Sequence, residues 1–483
     1  MKIKPLLLFL PVTIIFLLFF IPYKGHQTVG EAPKITYEDF SWSRFINKEF
    51  QKDYEEYRDK NFGFRNHFIR LKNELYNRIN LGLFNSSFFQ NIEKGKDGFL
   101  FQKNFIEVYF CNKNCEELLI NNFKDLFKLK EKLEILGINF LFVIEPDKAS
   151  VLNTKWPYKW DIQKKYNKNY SLWNFKILEE CKQNNLNCLD LISYFENKEK
   201  KNFFVKGGEH WTMVGAGEAG EELLSKLDSS IKKSDLANKE LKFSPFALHS
   251  EEDLILLLNT FNKKIDKKFP YYDYQTNRAF HMLKNKIFIY GDSYTDQLKD
   301  ALLSTSLVKT NNLIQISNKN LNSENWLEDL SSTSTLIFSY TLPNILSTRL
   351  KNDTESLISA LSNKFILGSG FQYMDNHLIS LSNKNVIYIL PDGNGKWCEI
   401  EMTISKIQKN INKIEVYNLT NDFQIVLNDL KTGDKIKFKM AIKPDAINKV
   451  EIKIPEMVSG FVFSEPDYRV RGLFVNSFNL RIN

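Results

Sequence analysis

The chain has 483 residues, of which 43% are hydrophobic and 26% charged, with a formal net charge of +8. That balance excludes a disordered chain and suffices for a large core divided among two or three domains. The lysines are spread along the sequence without a basic block or a nucleic-acid motif, so the pattern argues against a nucleic-acid partner and leaves a modest pull toward anionic surfaces or polymers.

In chain order, Lys2 and Lys4 precede an uncharged run of 19 residues, Pro5 to Tyr23, "PLLLFLPVTIIFLLFFIPY". This is close to the roughly 20 residues a helix needs to span a bilayer. The following "FFIPYKG" offers no small-x-small cleavage site. The expectation is an uncleaved signal anchor over residues 1–24, crossing the inner membrane once through residues 5–23 with the rest of the chain in the periplasm. Cysteine usage suits an oxidising compartment. Cys111 and Cys115 in "YFCNKNCEE", and Cys181 and Cys188 in "EECKQNNLNCLD", can each close a local disulfide or stay as thiols, and Cys398 is left over. No His/Cys cluster has ligand spacing, so neither a metal nor a cofactor is expected.

Residues 30–380 read as one α/β domain. The stretch "FGFRNHFIRLKNELYNRI" sets Phe64, Phe68 and Leu71 on one helical face. "GKDGFLFQKN" is a turn with a short strand, and "ILGINFLFVIEPDKAS" is a buried strand running into a charged loop. "NCLDLISYF", "KNKIFIYGDSYTDQLKDALLS", "STLIFSYTL" and "NKFILGS" repeat the strand-first pattern, with helical segments between them. Strands alternating with helices imply a mostly parallel sheet covered on both faces. Residues 224–280 read as an irregular insertion. Over 385–483, short alternating segments such as "KIEVYNL", "FQIVLNDL", "DKIKFKMAI" and "NKVEIKIPEM" predict an antiparallel β-sandwich ending in "SFNLRIN".

Two local patterns carry chemistry. In "KIFIYGDSYTDQL" an apolar strand runs through Gly291 and Asp292 into Ser293, and a helix follows. A serine there sits at the carboxyl end of a strand, where open α/β sheets bind ligands. Its backbone N–H, at a helix start, points where an oxyanion would develop. The same Ser is also an ordinary helix cap. A serine hydroxyl needs a base, and "KGGEHWTMVGAG" offers His210, with Trp211 to brace the ring and Gly215 to keep the approach open.

"GGEHWTMVGAG" followed by "FIYGDSYTD", with "YRDKNFGFRNHFIRLKNELYNRI", "GKDGFLF" and "FVIEPDKASVLNTKWP" ahead of them, resembles the SGNH-hydrolase-like polysaccharide O-acetyltransferases typified by the periplasmic alginate acetylation proteins. The resemblance spans about residues 45–375. It implies a flavodoxin-like SGNH-hydrolase core, Ser293 as nucleophile and His210 as base. It also implies a polysaccharide substrate, a membrane O-acyltransferase as acetyl donor and, for residues 385–483, a carbohydrate-binding role. One position departs from the family pattern: the residue two before the His, usually Asp, is Gly208. Asp292, Asp296 and Glu209 are the candidates to replace it as the carboxylate that orients the ring.

The sequence therefore points to an O-acetyltransferase working through a Ser-His acyl-enzyme on an exported polysaccharide. An acetyl esterase would use the same pair with water as acceptor. A non-catalytic polysaccharide-binding scaffold is the third reading, and Gly208 is its main support.

Overall fold

The computed structural model describes most of residues 40–482; residues 1–39 and the internal stretches 80–90, 262–265, 276–282, 317–325, 391–395, 407–412 and 455–473, with several shorter ones, lie outside the described residues. The Pro5–Tyr23 run falls in that undescribed part. Among the described residues no helix is long and apolar enough to cross a membrane. The membrane anchor, the inner-membrane partner and the single-pass placement are corrected on this ground. The described architecture is an α/β core followed by two antiparallel sheets.

Two short strands, β1 (Ile92–Lys94) and β2 (Leu100–Gln102), pair across the "GKDG" turn, in which Asp97 and Gly98 both take positive φ. The central sheet is built from β3 (Asn139–Glu145), β4 (Cys188–Asp190), β7 (Ile287–Gly291), β8 (Leu313–Ile316) and β9 (Thr335–Thr341). Between β4 and β7 the chain makes an antiparallel ribbon of β5 (Lys239–Ser244) and β6 (Phe269–Tyr274). In β3 every residue after Asn139 is buried, as expected of a parallel strand covered on both faces. The helix Lys113–Ile135 turns Leu119, Phe123, Leu126, Leu129 and Leu133 to the core at spacings of three and four, all essentially solvent-free. Each such burial stabilises by about 2 kcal/mol.

The central sheet is parallel throughout, in the spatial order β4-β3-β9-β7-β8. Numbered along the chain this differs from the 2-1-3-4-5 order of flavodoxin-like sheets. Counting from β7 instead, with β3 and β4 following β9, restores that order. The flavodoxin arrangement is present as a circular permutation. Its switch point, where ligand crevices open, lies between the carboxyl ends of β7 and β9. Ser293 comes two residues after β7 and Thr341 ends β9.

The C-terminal sheets have the orders β10-β13-β18-β15-β16 and β11-β12-β19-β14-β17. Their strands are β10 (Phe365–Leu367), β11 (Phe371–Met374), β12 (His377–Ser380), β13 (Lys384–Ile389), β14 (Trp397–Lys406), β15 (Lys413–Asn418), β16 (Phe423–Asn428), β17 (Lys435–Ala441), β18 (Asn448–Lys453) and β19 (Phe474–Ile482). Ile387, Val416 and Ile452 of one sheet meet Ile400, Met402 and Met440 of the other in a single apolar cluster. Strands β10–β12 end by residue 380, so both sheets draw edge strands, β10 and β11, from before the change of pattern at 385. Val386 and Tyr388, on the opposite face of β13, join the core of the α/β region. Both local cysteine pairs, Cys111–Cys115 and Cys181–Cys188, are disulfide-bonded, and Cys398 is free and buried.

Candidate active site

Ser293 is exposed at the start of the helix Tyr294–Ser304, directly after β7. Gly291 is dictated by packing: a Cβ there would lie 2.0 Å from the Ser339 carbonyl oxygen on β9. Only a glycine lets the two strands approach this closely ahead of the turn. The N–H groups of Tyr294 and Thr295 are spent on Asp292, through its Oδ1 and its carbonyl oxygen. The Ser293 N–H remains at the positive end of the helix.

His210 lies in the loop between the helix Leu191–Glu196, which follows β4, and the helix Met213–Leu227, whose N-cap is Thr212. Its Nε2 is 2.8 Å from Ser293 Oγ, and its Nδ1 is 2.9 Å from Asp253 Oδ2. An ionised carboxylate only accepts, so Nδ1 carries the proton and Nε2 presents its lone pair to the serine hydroxyl. The imidazole ring lies against the Tyr294 ring, 4.7 Å between centroids. Tyr294 is buried and its hydroxyl donates to the Glu209 carbonyl oxygen. Trp211, expected to brace the imidazole, acts at one remove: it is fully buried and packs on Tyr294 and Phe195. Gly215 has its open side toward the Phe203 carbonyl, 2.9 Å from an added Cβ, so it serves helix packing.

The three carboxylates put forward to orient the ring are all engaged elsewhere. Asp292 accepts from Thr341 N, Thr341 Oγ1 and Asn344 Nδ2 through Oδ2, tying the end of β7 to that of β9. Asp296 is bonded to Gln315 Nε2. Glu209 points away from the ring and takes the Gln102 N–H on Oε2, at 2.8 Å. Burial raises the Glu209 carboxyl above its ordinary range, opposed by the charge of Lys148. The residue that meets Nδ1, Asp253, lies in the stretch read as an irregular insertion. Its one sequence signal is the acidic "SEEDL" ahead of a short apolar helix, Asp253–Leu257.

The loop of His210 is fixed from below by Lys148. This lysine is fully buried, and its Nζ donates to Leu100 O (2.6 Å), Lys206 O (3.0 Å) and Gly208 O (2.5 Å). The rings of Phe99 and Phe101 lie within 5.5 Å of the ammonium. Burial lowers its affinity for the proton, and nearby Glu209, Asp253 and Asp266 restore part of it. Its neighbour Asp147 is pushed up to about 7 by burial, against the bonds it accepts from Ser150 N and Tyr109 Oη. At the end of β3, Glu145 is held above the usual carboxylate range by burial and by the charge of Asp292. The motifs "GKDGFLF" and "EPDKAS" thus converge on the underside of one loop.

Residues 92–297 match the family model described as SGNH hydrolase-like domain, acetyltransferase AlgX. The chain carries an SGNH hydrolase-like domain. Ser293, His210 and Asp253 all fall inside the matched segment of this domain. Its resemblance is to the periplasmic alginate O-acetylation proteins, and its fold is consistent with an acyltransferase or esterase class. No curated protein matches the chain. Among solved structures, the O-acetyltransferase domain of Pseudomonas putida AlgJ is 15% identical, covers 55% of this chain and 99% of its own, and has a TM-score of 0.40. Pseudomonas aeruginosa AlgX is 14% identical over 82% of this chain and 96% of its own, also at 0.40. Bacillus cereus PatB1 is 13% identical over 54% and 99%, at 0.36. Likenesses this distant carry no weight for function, and the matched segment and the site geometry stand without them.

Proposed function

We propose that the SGNH hydrolase-like domain is a polysaccharide O-acetyltransferase that works through an acetyl-Ser293 intermediate. The observation that supports this reading is the continuous hydrogen-bonded chain from Ser293 Oγ through His210 to Asp253, at 2.8 and 2.9 Å. Ser293 Oγ attacks the acetyl carbonyl carbon of the donor while its proton passes to His210 Nε2. The tetrahedral oxyanion forms beside the Ser293 N–H. The intermediate collapses, and the leaving oxygen of the donor takes the proton back from Nε2. A sugar hydroxyl then attacks the acetyl-serine, giving its proton to Nε2, and Ser293 leaves with that proton. An orienting carboxylate on Nδ1 keeps Nε2 free for both halves and stabilises the imidazolium between them. The scaffold reading loses its support, because Gly208 does not leave the ring without a carboxylate partner.

The test is turnover of a chromogenic acetate, with and without polysaccharide as acceptor, on Ser293→Ala, His210→Ala and the double variant. Each single change lowers turnover by about 10⁴-fold or more, and the double is hardly worse, as for residues acting as one unit. Acetyl label trapped on Ser293 identifies the nucleophile. Acetyl passed to polymer in competition with water marks a transferase, and release to water alone marks an esterase. His210→Ala with wild-type turnover rejects the reading. In the same assay Trp397→Ala, which removes a half-exposed indole at the start of β14, lowers transfer to polymer without changing turnover of the small acetate. Equal transfer would deny the sandwich a role in holding polymer.

A further inference from the structure

The insertion is laced to the loop of His210 by a run of main-chain bonds. Asp266 accepts from Lys206 N (3.1 Å, Oδ1) and Gly207 N (2.7 Å, Oδ2). Asp253 Oδ1 accepts from Glu209 N at 2.8 Å, and Glu251 Oε1 from Met213 N at 3.3 Å. Ile255 N in turn donates to Gly207 O at 2.8 Å. On the other side of the site, His249 of the insertion reaches Asp300 on the helix that begins after Ser293, at 3.3 Å. The β5–β6 ribbon anchors the insertion to the helix Met213–Leu227, where Lys239, Tyr272 and Tyr274 meet Glu218 and Glu221. The insertion is thus a clasp whose carboxylates take up N–H groups of the loop that carries the base.

Gly208 is where the clasp presses closest. A Cβ at this position would lie 2.0 Å from the Glu251 carbonyl oxygen and 2.4 Å from its carbon, both main-chain atoms. No side chain fits there while the clasp is seated. A carboxylate on residue 208 and the clasp in its place are therefore mutually exclusive, and the clasp brings a carboxylate of its own.

We propose that Asp253 is the positioning residue for His210, supplied to the base loop by the inserted clasp, and that Gly208 is the residue that admits it. This rests on the reading of His210 as the base. It identifies a region with no chemistry in its sequence pattern as part of the site. It also makes the competence of His210 depend on how the clasp is seated.

The decisive variant is Asp253→Asn, because its amide has one available orientation. Oδ1 of Asp253 already accepts from two N–H groups, Glu209 N and Leu254 N, each at 2.8 Å. An asparagine keeps its carbonyl oxygen on those donors and turns its NH₂ toward His210 Nδ1. Two donors cannot face each other, so the ring gives up its Nδ1 proton and carries it on Nε2, the nitrogen that must accept from Ser293. The expected loss in turnover of a chromogenic acetate is about 10⁴-fold, the scale of a wrong-tautomer imidazole. Nitrogen NMR of the histidines shows the proton moved from Nδ1 to Nε2, a signature a merely structural residue would not shift. Asp253→Glu, which disturbs packing more but keeps an acceptor, retains more activity than Asp253→Asn. Gly208→Ala displaces the Glu251 main chain and lowers turnover by about 10²-fold, as a misplacement on the ångström scale does. Circular dichroism and the melting temperature report whether each variant is folded.

Asp253→Asn within about tenfold of wild type, or an unchanged tautomer in that variant, overturns the assignment of Asp253. A folded Gly208→Ala protein with wild-type turnover overturns the role of Gly208. Failure of the catalytic reading looks different: Ser293→Ala stays active, yet the imidazole proton still moves in Asp253→Asn, and the positional claim survives.

Discussion

In the α/β core, one group of buried polar side chains crowds the carboxyl edge of the sheet and the loop of His210. Glu145, Asp147, Lys148, Glu209 and Asp292 are all nearly solvent-free there. Among the described residues of the C-terminal sheets, the buried polar side chains are Asn418 and Asn448, which bond to one another and close the turns beside them. The cluster between the sheets is otherwise Ile, Val, Leu, Met, Phe and one Cys. The difference is instructive because a buried charge or amide costs free energy unless it is fully partnered. The sandwich obeys the inexpensive rule, and the α/β core departs from it at several places, Glu218 and Glu221 with Lys239 among them. The densest departure is where Ser293 and His210 meet, as expected if stability is given up to pre-set a site.

The largest effect that would break this contrast is at Lys148. In Lys148→Met the chain length is kept, but Leu100 O, Lys206 O and Gly208 O all lose their donor. Leaving these groups unpaired should cost about 3–5 kcal/mol in denaturant unfolding. A loss under about 1 kcal/mol would mean that the lysine is not what holds the loop. Next in size is Ile400→Ala in the sandwich, which removes a fully buried side chain. It should lower stability by about 2–4 kcal/mol while leaving turnover of a small acetate unchanged. A fall in turnover that matches the fall in stability would erase the functional distinction between the two regions.

The third effect is in pH dependence. Burial raises Asp147 from 3.8 to about 7 in the folded protein. Where the unfolded chain has released this proton and the folded chain still holds it, stability declines with pH. The contribution is therefore full below about pH 4, falls as pH rises toward 7, and levels off above. Asp147→Asn keeps an acceptor for the Ser150 N–H and removes the titration, so the melting temperature should lose that part of its slope between pH 4 and 7. Parallel curves for the two proteins would place the slope elsewhere.

How much was legible follows from which signals are local. The strand-Gly-Asp-Ser turn and the glycine-bounded His loop both declare themselves within a dozen residues. The apolar runs of β3, β7 and β9 announce a buried parallel sheet for the same reason. The carboxylates proposed beside His210 failed because adjacency in sequence was taken for adjacency in space. Glu209 turns to Gln102 on the far side of the loop, and Asp292 is used up in holding β7 to β9. "NKFILGS", which holds β10, reads as part of the α/β pattern because a three-residue apolar run looks the same in either sheet type.

The sequence by itself pointed to Ser293 and His210 and to the parallel α/β core, and offered the two cysteine pairs that the structure joins, because each depends on residues close in the chain. Tertiary structure alone decided the permuted strand order, the buried lysine under the base loop and the partner of His210 Nδ1. Asp253 is 43 residues from His210 in the chain and 2.9 Å away in space. Only the folding of the inserted clasp over Gly208 closes that gap, and a vacant side chain at 208 is the space it closes into.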